Sequence, residues 1–263
     1  MCEPPAPKYD AEAADRGPWA INVVLPWIDG MSITGRSNVS GVVGYRDLDE
    51  VAPLLRGVLH AYAFWVALGA ATALVAVAPA GDARVAAGVY GAALCALFAV
   101  SGLYHRWRWD LRWRPLLRRL DHGTIFVFIA ASWTPLALLV LSGPLAVIVL
   151  VTVWVGALAG IVRAVAWVSA PRVVVAASYV AVGWAAGIGL PELLDRLPTA
   201  PVVLLGVGGA LYMAGAVVYA ARKPNPWPRT FGFHEVFHTL VILAAATQFV
   251  AIAGWIVPLA ATG

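Results

Sequence analysis

Charge is scarce in this chain: only 12% of its 263 residues are Asp, Glu, Lys or Arg, about half the roughly 25% of an ordinary soluble domain. Apolar residues make up 61% and the mean hydropathy is +0.81, which excludes both a soluble globule and an intrinsically disordered chain. Cysteine is almost absent, and Cys2 with Cys95 cannot build a disulfide scaffold. Lysine is equally rare. Lys8 and Lys223 fall outside every long apolar run, so a retinal-type Schiff base, which needs a lysine within a helix, is excluded. What is left is a polytopic membrane protein.

Residues 1–53 contain no apolar stretch long enough to cross a bilayer and hold eight of the fourteen acidic residues. They read as a polar N-terminal tail without a signal peptide, because the first long apolar run begins near Val58. From there, apolar runs at about 58–79, 85–105, 121–141, 145–167, 173–190, 201–221 and 236–259 alternate with short polar segments. Each is near the ~20 residues that span a hydrocarbon core of ~30 Å. Barrel strands would be about half that length and would alternate polar with apolar residues. The sequence therefore predicts an all-α integral membrane protein, a seven-transmembrane-helix bundle forming one domain over 54–263.

The basic residues are sided. Five lie in the tail through Arg56, six in the 106–119 loop, two at 163–172 and three at 222–229, whereas the alternate loops hold only Arg84 and Arg196. Positive charge accumulates on the cytoplasmic side of membrane proteins, so the expectation is a cytoplasmic N-terminus and an outward C-terminus. The loop RWRWDLRWRPLLRR, with Trp107, Trp109 and Trp113 among its arginines, suits anionic inner-leaflet lipids at the aromatic belt. A charge so placed orients the chain and gives no reason to expect nucleic acid as a partner; protein partners are not legible. Gly156-x3-Gly160 and Gly183-x3-Gly187 predict close helix approach. Pro135 predicts a kink or a freed carbonyl within the third span.

Four of the five histidines fall in two short segments, Ser101-Gly-Leu-Tyr-His105 with Asp121-His122, and His234-Glu-Val-Phe-His238. The topology puts them at one membrane depth on the cytoplasmic side. Residues four apart share a helix face about 6 Å apart, so His234 and His238 can present two imidazoles to one ion. Ser101 and His105 share a face in the same way. Three neutral imidazoles with one open position is the arrangement of a catalytic zinc site, although imidazole also suits iron, copper and nickel. Asp121 is then placed to hold or deprotonate a water and Ser101 to donate a hydrogen bond. Spacing alone leaves a structural alternative open, with the histidines marking the interface and Asp121 capping its helix. Ionisable groups near the membrane are costly without partners, which favours a shared site. His60 reads as a satisfied interface histidine, Glu235 and His122 point away from the group, and Asp110 is a solvated partner of its arginine loop.

At these residues the chain resembles the hemolysin III family, the bacterial branch of the progestin and adipoQ receptor superfamily. The resemblance runs through Leu55-Arg-Gly-Val-Leu-His60, Ser101-x3-His105, Arg119-Leu-Asp-His122, Thr134-Pro135 and Phe231-Gly-Phe-His-Glu-Val-Phe-His238, covering roughly 53–259. It implies zinc held by His105, His234 and His238, water near Asp121, Ser101 close by, an N-inside topology, and a place in a bacterial inner (plasma) membrane. Trp133 stands where a tyrosine commonly precedes Thr-Pro, and the tail is longer than the short leader expected of bacterial members.

Three functions compete. The superfamily is similar to ceramidase-type enzymes, which implies a zinc-dependent hydrolase of acyl-lipid amides or esters with Asp121 and Ser101 as catalytic residues. A non-enzymatic sensor or structural zinc protein would use the same ion to clamp helices. A cytolysin is what the family name implies, but no ladder of mid-membrane ionisable groups lines a pore. A secondary transporter lacks its paired broken spans and midplane charges.

Overall fold

The computed structural model describes residues 53–260, so the tail over 1–53 lies outside the described residues except for Pro53. The described chain is helical: α1 (Val58–Val77), α2 (Asp82–Arg106), α3 (Arg114–Leu139), α4 (Gly143–Ala166), α5 (Arg172–Ala185), α6 (Leu190–Arg196), α7 (Thr199–Ala221), α8 (Phe233–Ala251) and α9 (Val257–Leu259). A 3-10 turn at Ala186–Gly189 joins α5 to α6, and a π turn at Ile252–Ile256 joins α8 to α9. Each of these pairs makes one span, Arg172–Arg196 and Phe233–Leu259, giving seven helices long and apolar enough to cross a membrane. No strand occurs among the described residues, only an isolated bridge between Trp227 and Phe231.

Two span limits differ from the hydropathy reading, for separate reasons. The third helix starts at Arg114, seven residues before the apolar run, with Pro115 in its first turn. Arginine and leucine are good helix formers and Pro is tolerated at a helix start, so the helix continues out of the apolar layer where hydropathy has already fallen. The fifth span runs past 190 to Arg196 after stepping through the 3-10 turn. That turn contains Gly187 and Gly189, and glycine weakens the α-helix locally.

Helices α2 and α3 are the most buried spans, and the others are arranged around them with apolar residues such as Tyr62, Trp65, Val147 and Val207 exposed. In lipid the hydrophobic effect does not favour helix association, so close packing must do so, through small residues. Gly91 lies against Ala71 and Gly102 against the Ala61 backbone, which brings α1 onto α2. Gly208 meets Thr247 and Gln248, and Gly215 meets Phe237, bringing α7 onto α8.

The two glycine pairs behave differently. A Cβ on Gly156 would lie 3.1 Å from Val182 and one on Gly160 would run into the ring of Phe126, so the α4 pair is a close-approach surface as expected. A Cβ on Gly183 or Gly187 would meet nothing nearer than 3.9 Å; both glycines instead border a cavity, which corrects their reading as a helix contact. Pro135 sits inside an uninterrupted α3. Beside it, the Ser132 and Thr134 hydroxyls donate to the Phe128 and Ala130 carbonyls at 2.6 and 2.9 Å, and Trp154 Nε1 donates to Thr134 Oγ1 at 3.2 Å.

Replacing Gly160 with Val drives a side chain into Phe126, whose residue is fully buried; overpacking of this kind costs about 1–3 kcal/mol. Gly206→Ala, with nothing within 4 Å, should be neutral or stabilising by up to about 1 kcal/mol. Thermal unfolding of the two variants in detergent measures the contrast.

Candidate metal centre

Alternating spans bring the start of α1, the end of α2, the start of α3 and the start of α8 to one end of the bundle. There the imidazoles of His105, His234 and His238 offer ligand nitrogens all within 4.8 Å of one another, forming a group able to hold a metal ion. His105 Nε2 and His234 Nε2 face each other at 3.2 Å. Ligands at the ~2.0–2.1 Å of a zinc–imidazole bond span a tetrahedral edge of roughly 3.3–3.4 Å, so the spacing fits. His238, the third of the group, is 2% exposed.

Asp121 Oδ2 lies 3.5 Å from His105 Nε2. The Asp121 and Ser101 residues are buried, and both border the same cavity as His234 and His238. The five residues singled out from sequence are thus close together, with α2 supplying Ser101 and His105, α3 supplying Asp121, and α8 the remaining two. Asp110 pairs with Arg112 at 3.6 Å in an exposed position, as expected. His122 stays outside the histidine group.

His60 departs from expectation. It is 2% exposed, its two ring nitrogens make no hydrogen bond among the described residues, and its ring stacks on His238 with centroids 3.8 Å apart and planes 9° from parallel. Phe98 closes its edge at 5.1 Å. It is therefore a buried backing for His238 rather than a satisfied interface histidine, because α1 packs against α8 at this point. A ring stacked so closely cannot rotate freely, and His238 shares that restraint.

Glu235 points away from the ligands, as its position in α8 predicts, yet it organises them. Its carboxylate accepts from Arg56 Nε at 2.6 Å and from the Gly232 backbone N–H at 2.8 Å while the residue is 1% exposed. One oxygen thus holds the chain entering α1 and the other the first turn of α8. Backbone bonds from Leu54 N–H to Arg229 O and from Leu55 N–H to Thr230 O tie the same two segments, and Asn225 Oδ1 accepts from Phe233 N–H at 3.1 Å. Gly57 completes the entry to α1. Its φ is +76°, and a Cβ there would lie 2.8 Å from the His105 Cβ, so only glycine allows the chain to cross that close to this ligand. Sequence reasoning missed Arg56 and Gly57, and set Glu235 aside; only the run Leu55-Arg-Gly-Val-Leu-His60 hinted at them.

From the histidine end a cavity of about 570 Å³ extends among α3, α5, α7 and α8, bordered at its far part by Leu136 and Leu193. This is the size of a small-molecule site. Gly183, Gly187, Gly206 and Gly209 contribute backbone to its wall.

Removing the Arg56 guanidinium strands a buried carboxylate. Arg56→Ala should lower stability by about 2–3 kcal/mol, the buried-pair loss reduced for partial exposure, and weaken metal affinity about tenfold. Adding Glu235→Gln should restore part of the stability, since no unpaired charge then remains; melting curves and metal titrations read both effects.

The sequence pattern of the family described as Haemolysin-III related matches residues 49–249. Similar proteins include Hemolysin-3 of Bacillus cereus, 28% identical over 68% of this chain and 78% of that one. The Hemolysin-3 homolog of Bacillus subtilis (strain 168) is 30% identical over 61% of this chain and 72% of its own. The human monocyte to macrophage differentiation factor is 28% identical over 64% and 69%. The Bacillus relatives fit a bacterial plasma membrane. With the match covering most of the chain and every helix that carries the site, the protein is an integral membrane member of the Haemolysin-III related family.

Proposed function

We propose that this protein is a zinc-dependent membrane hydrolase that cleaves the amide or ester bond of acyl lipids. The observation that carries the reading is an apolar cavity of about 570 Å³ whose wall includes His234, His238, Asp121 and Ser101, with His105 completing the group of three convergent imidazoles. A zinc ion held by His105, His234 and His238 would supply a Lewis acid that polarises a carbonyl and acidifies water.

The chain's own residues account for the rest. The cavity takes the acyl chain and excludes bulk water, which strengthens every electrostatic interaction at its histidine end. Asp121 accepts the proton of the attacking water as the new C–O bond forms at the carbonyl carbon. It returns that proton to the leaving nitrogen or oxygen as the acyl bond breaks, giving a fatty acid and an amine or alcohol. Ser101 donates a hydrogen bond to the oxygen that gains negative charge. Stacking on His60 and the Glu235 clamp hold the imidazoles before substrate arrives. In this reading the site faces the cytoplasm, as the sided arginines indicate, and the 106–119 loop rests on anionic inner-leaflet lipids.

A second reading, a structural or sensing metal clamp, is favoured by one observation: the ligands come from α2 and α8, with Asp121 on α3, so one ion would tie together the ends of separate helices.

The readings separate on Asp121→Ala. Under the hydrolase reading it should lower fatty-acid release by at least about 10²-fold while leaving metal content and melting temperature unchanged, whereas His238→Ala should lose the metal, as read by mass spectrometry. If zinc-loaded wild type releases no fatty acid from a broad panel of acyl lipids and ceramides, the hydrolase reading fails and the clamp stands. A metal-free wild type purified without chelator would remove the basis of both.

A further inference from the structure

Gln248 is a polar side chain deep in an apolar helix. It lies on α8 ten residues beyond His238, about 15 Å along the axis, within the span Phe233–Leu259. Its Oε1 is shut off from solvent and has no hydrogen-bond partner among the described residues. The Tyr212 hydroxyl, on α7, is in the same condition. Inside a bilayer no water is at hand to satisfy such groups, and each one left unpaired costs free energy, so polar side chains held there call for a function.

Separate contacts put the two at one place. Tyr212 and Gly208 are four residues apart on α7 and share a face, and a Cβ on Gly208 would lie 3.0 Å from Gln248 Cγ. The Tyr212 ring also approaches that of Phe128 on α3, with centroids 6.4 Å apart. Depth along α7 agrees, because Tyr212 is seven residues, about 10 Å, from Tyr219, whose ring flanks that of His234 at 6.3 Å.

Both residues border the cavity, whose wall around them is otherwise apolar, with Phe128, Ile129 and Leu136. Ser132 borders it too, but its hydroxyl already donates to the Phe128 carbonyl at 2.6 Å. Another unpartnered oxygen, that of Tyr90, lies behind the rings of Phe128 and Phe249. The two open groups are complementary in kind. A phenol can donate and an amide oxygen only accepts, so together they match a group that accepts one hydrogen bond and donates another. A hydroxyl does both. A ketone or ether can use only the phenol, and a methylene can use neither.

We infer that Tyr212 and Gln248 form a polar subsite within the cavity, about 10–15 Å from the histidine end, that takes a hydroxyl group carried on the apolar chain of the occupant. The inference rests on the hydrolase reading for the acyl nature of that occupant and narrows its substrate class to acyl lipids hydroxylated near mid-chain. Tyr212 and Gln248 are then specificity residues, remote from the bond that is cleaved.

Calorimetric titration of the full chain in detergent tests this without turnover. The probes are stearate, a hydroxystearate with its hydroxyl near mid-chain, and one with the hydroxyl at the chain end. Wild type should bind the mid-chain isomer about tenfold more tightly than stearate, and the chain-end isomer no more tightly than stearate. Tyr212→Phe and Gln248→Leu should each cut that preference to about twofold or less while leaving stearate affinity unchanged. In the empty protein Tyr212→Phe removes only an unpaired hydroxyl, so its melting temperature should be unchanged or raised. A clear fall would mean that the hydroxyl is already paired inside the protein, and would overturn the inference. Equal binding of mid-chain hydroxystearate and stearate by wild type, a preference kept in both folded variants, or no binding of any probe would overturn it as well. If Gln248→Leu does not fold, Tyr212→Phe carries the test. Fatty-acid release is read separately: its absence with the binding preference intact defeats the hydrolase reading and leaves the subsite, whereas release without any preference defeats the subsite alone.

Discussion

Glu235 carries a charge at a position 1% exposed, and a carboxylate so enclosed persists only with partners that compensate its lost hydration. Those partners, Arg56 and the Gly232 N–H, lie on the two segments that begin the first and last spans. Meeting the demand of one buried carboxylate therefore closes the bundle at its histidine end. It also fixes the first turn of α8, which carries His234 and His238, and delivers Gly57 to the back of His105. The metal group, the cavity mouth and the stacking of His60 on His238 all follow from that closure.

Much of the framework could be read from sequence because the bilayer imposes a length on every apolar run, and length is a local property. The seven spans are of this kind, as is the shared face of His234 and His238. Helix ends were less legible. Arg114–Leu120 is helical yet charged at several positions, so hydropathy marks where the apolar layer ends rather than where the hydrogen-bonded helix does. The 3-10 step at Ala186–Gly189 was hidden by an apolar composition that suits either geometry.

The supporting shell was the least legible part. Arg56 and Glu235 are 179 positions apart, and neither has a local pattern that points to the other. His60 gave the wrong impression because depth along α1 was visible but rotation toward α8 was not; in a helix with apolar residues on nearly every side, no polar face indicates which way it packs. Gly183-x3-Gly187 failed for a related reason. Missing side chains permit close approach but do not require it, and here they leave space unfilled instead.

That unfilled space has a consequence for selectivity. Where Gly183, Gly187, Gly206 and Gly209 form the wall, no rotamer can swing aside to admit a bulkier occupant, so the bore is set by the separation of the α5 and α7 backbones. A methyl group introduced at Gly206 or Gly209 would act as a stop along a ruler, shortening the space open to an occupant without reaching the histidine end. Substitution at such positions would change the size of occupant that fits while leaving the polar centre intact.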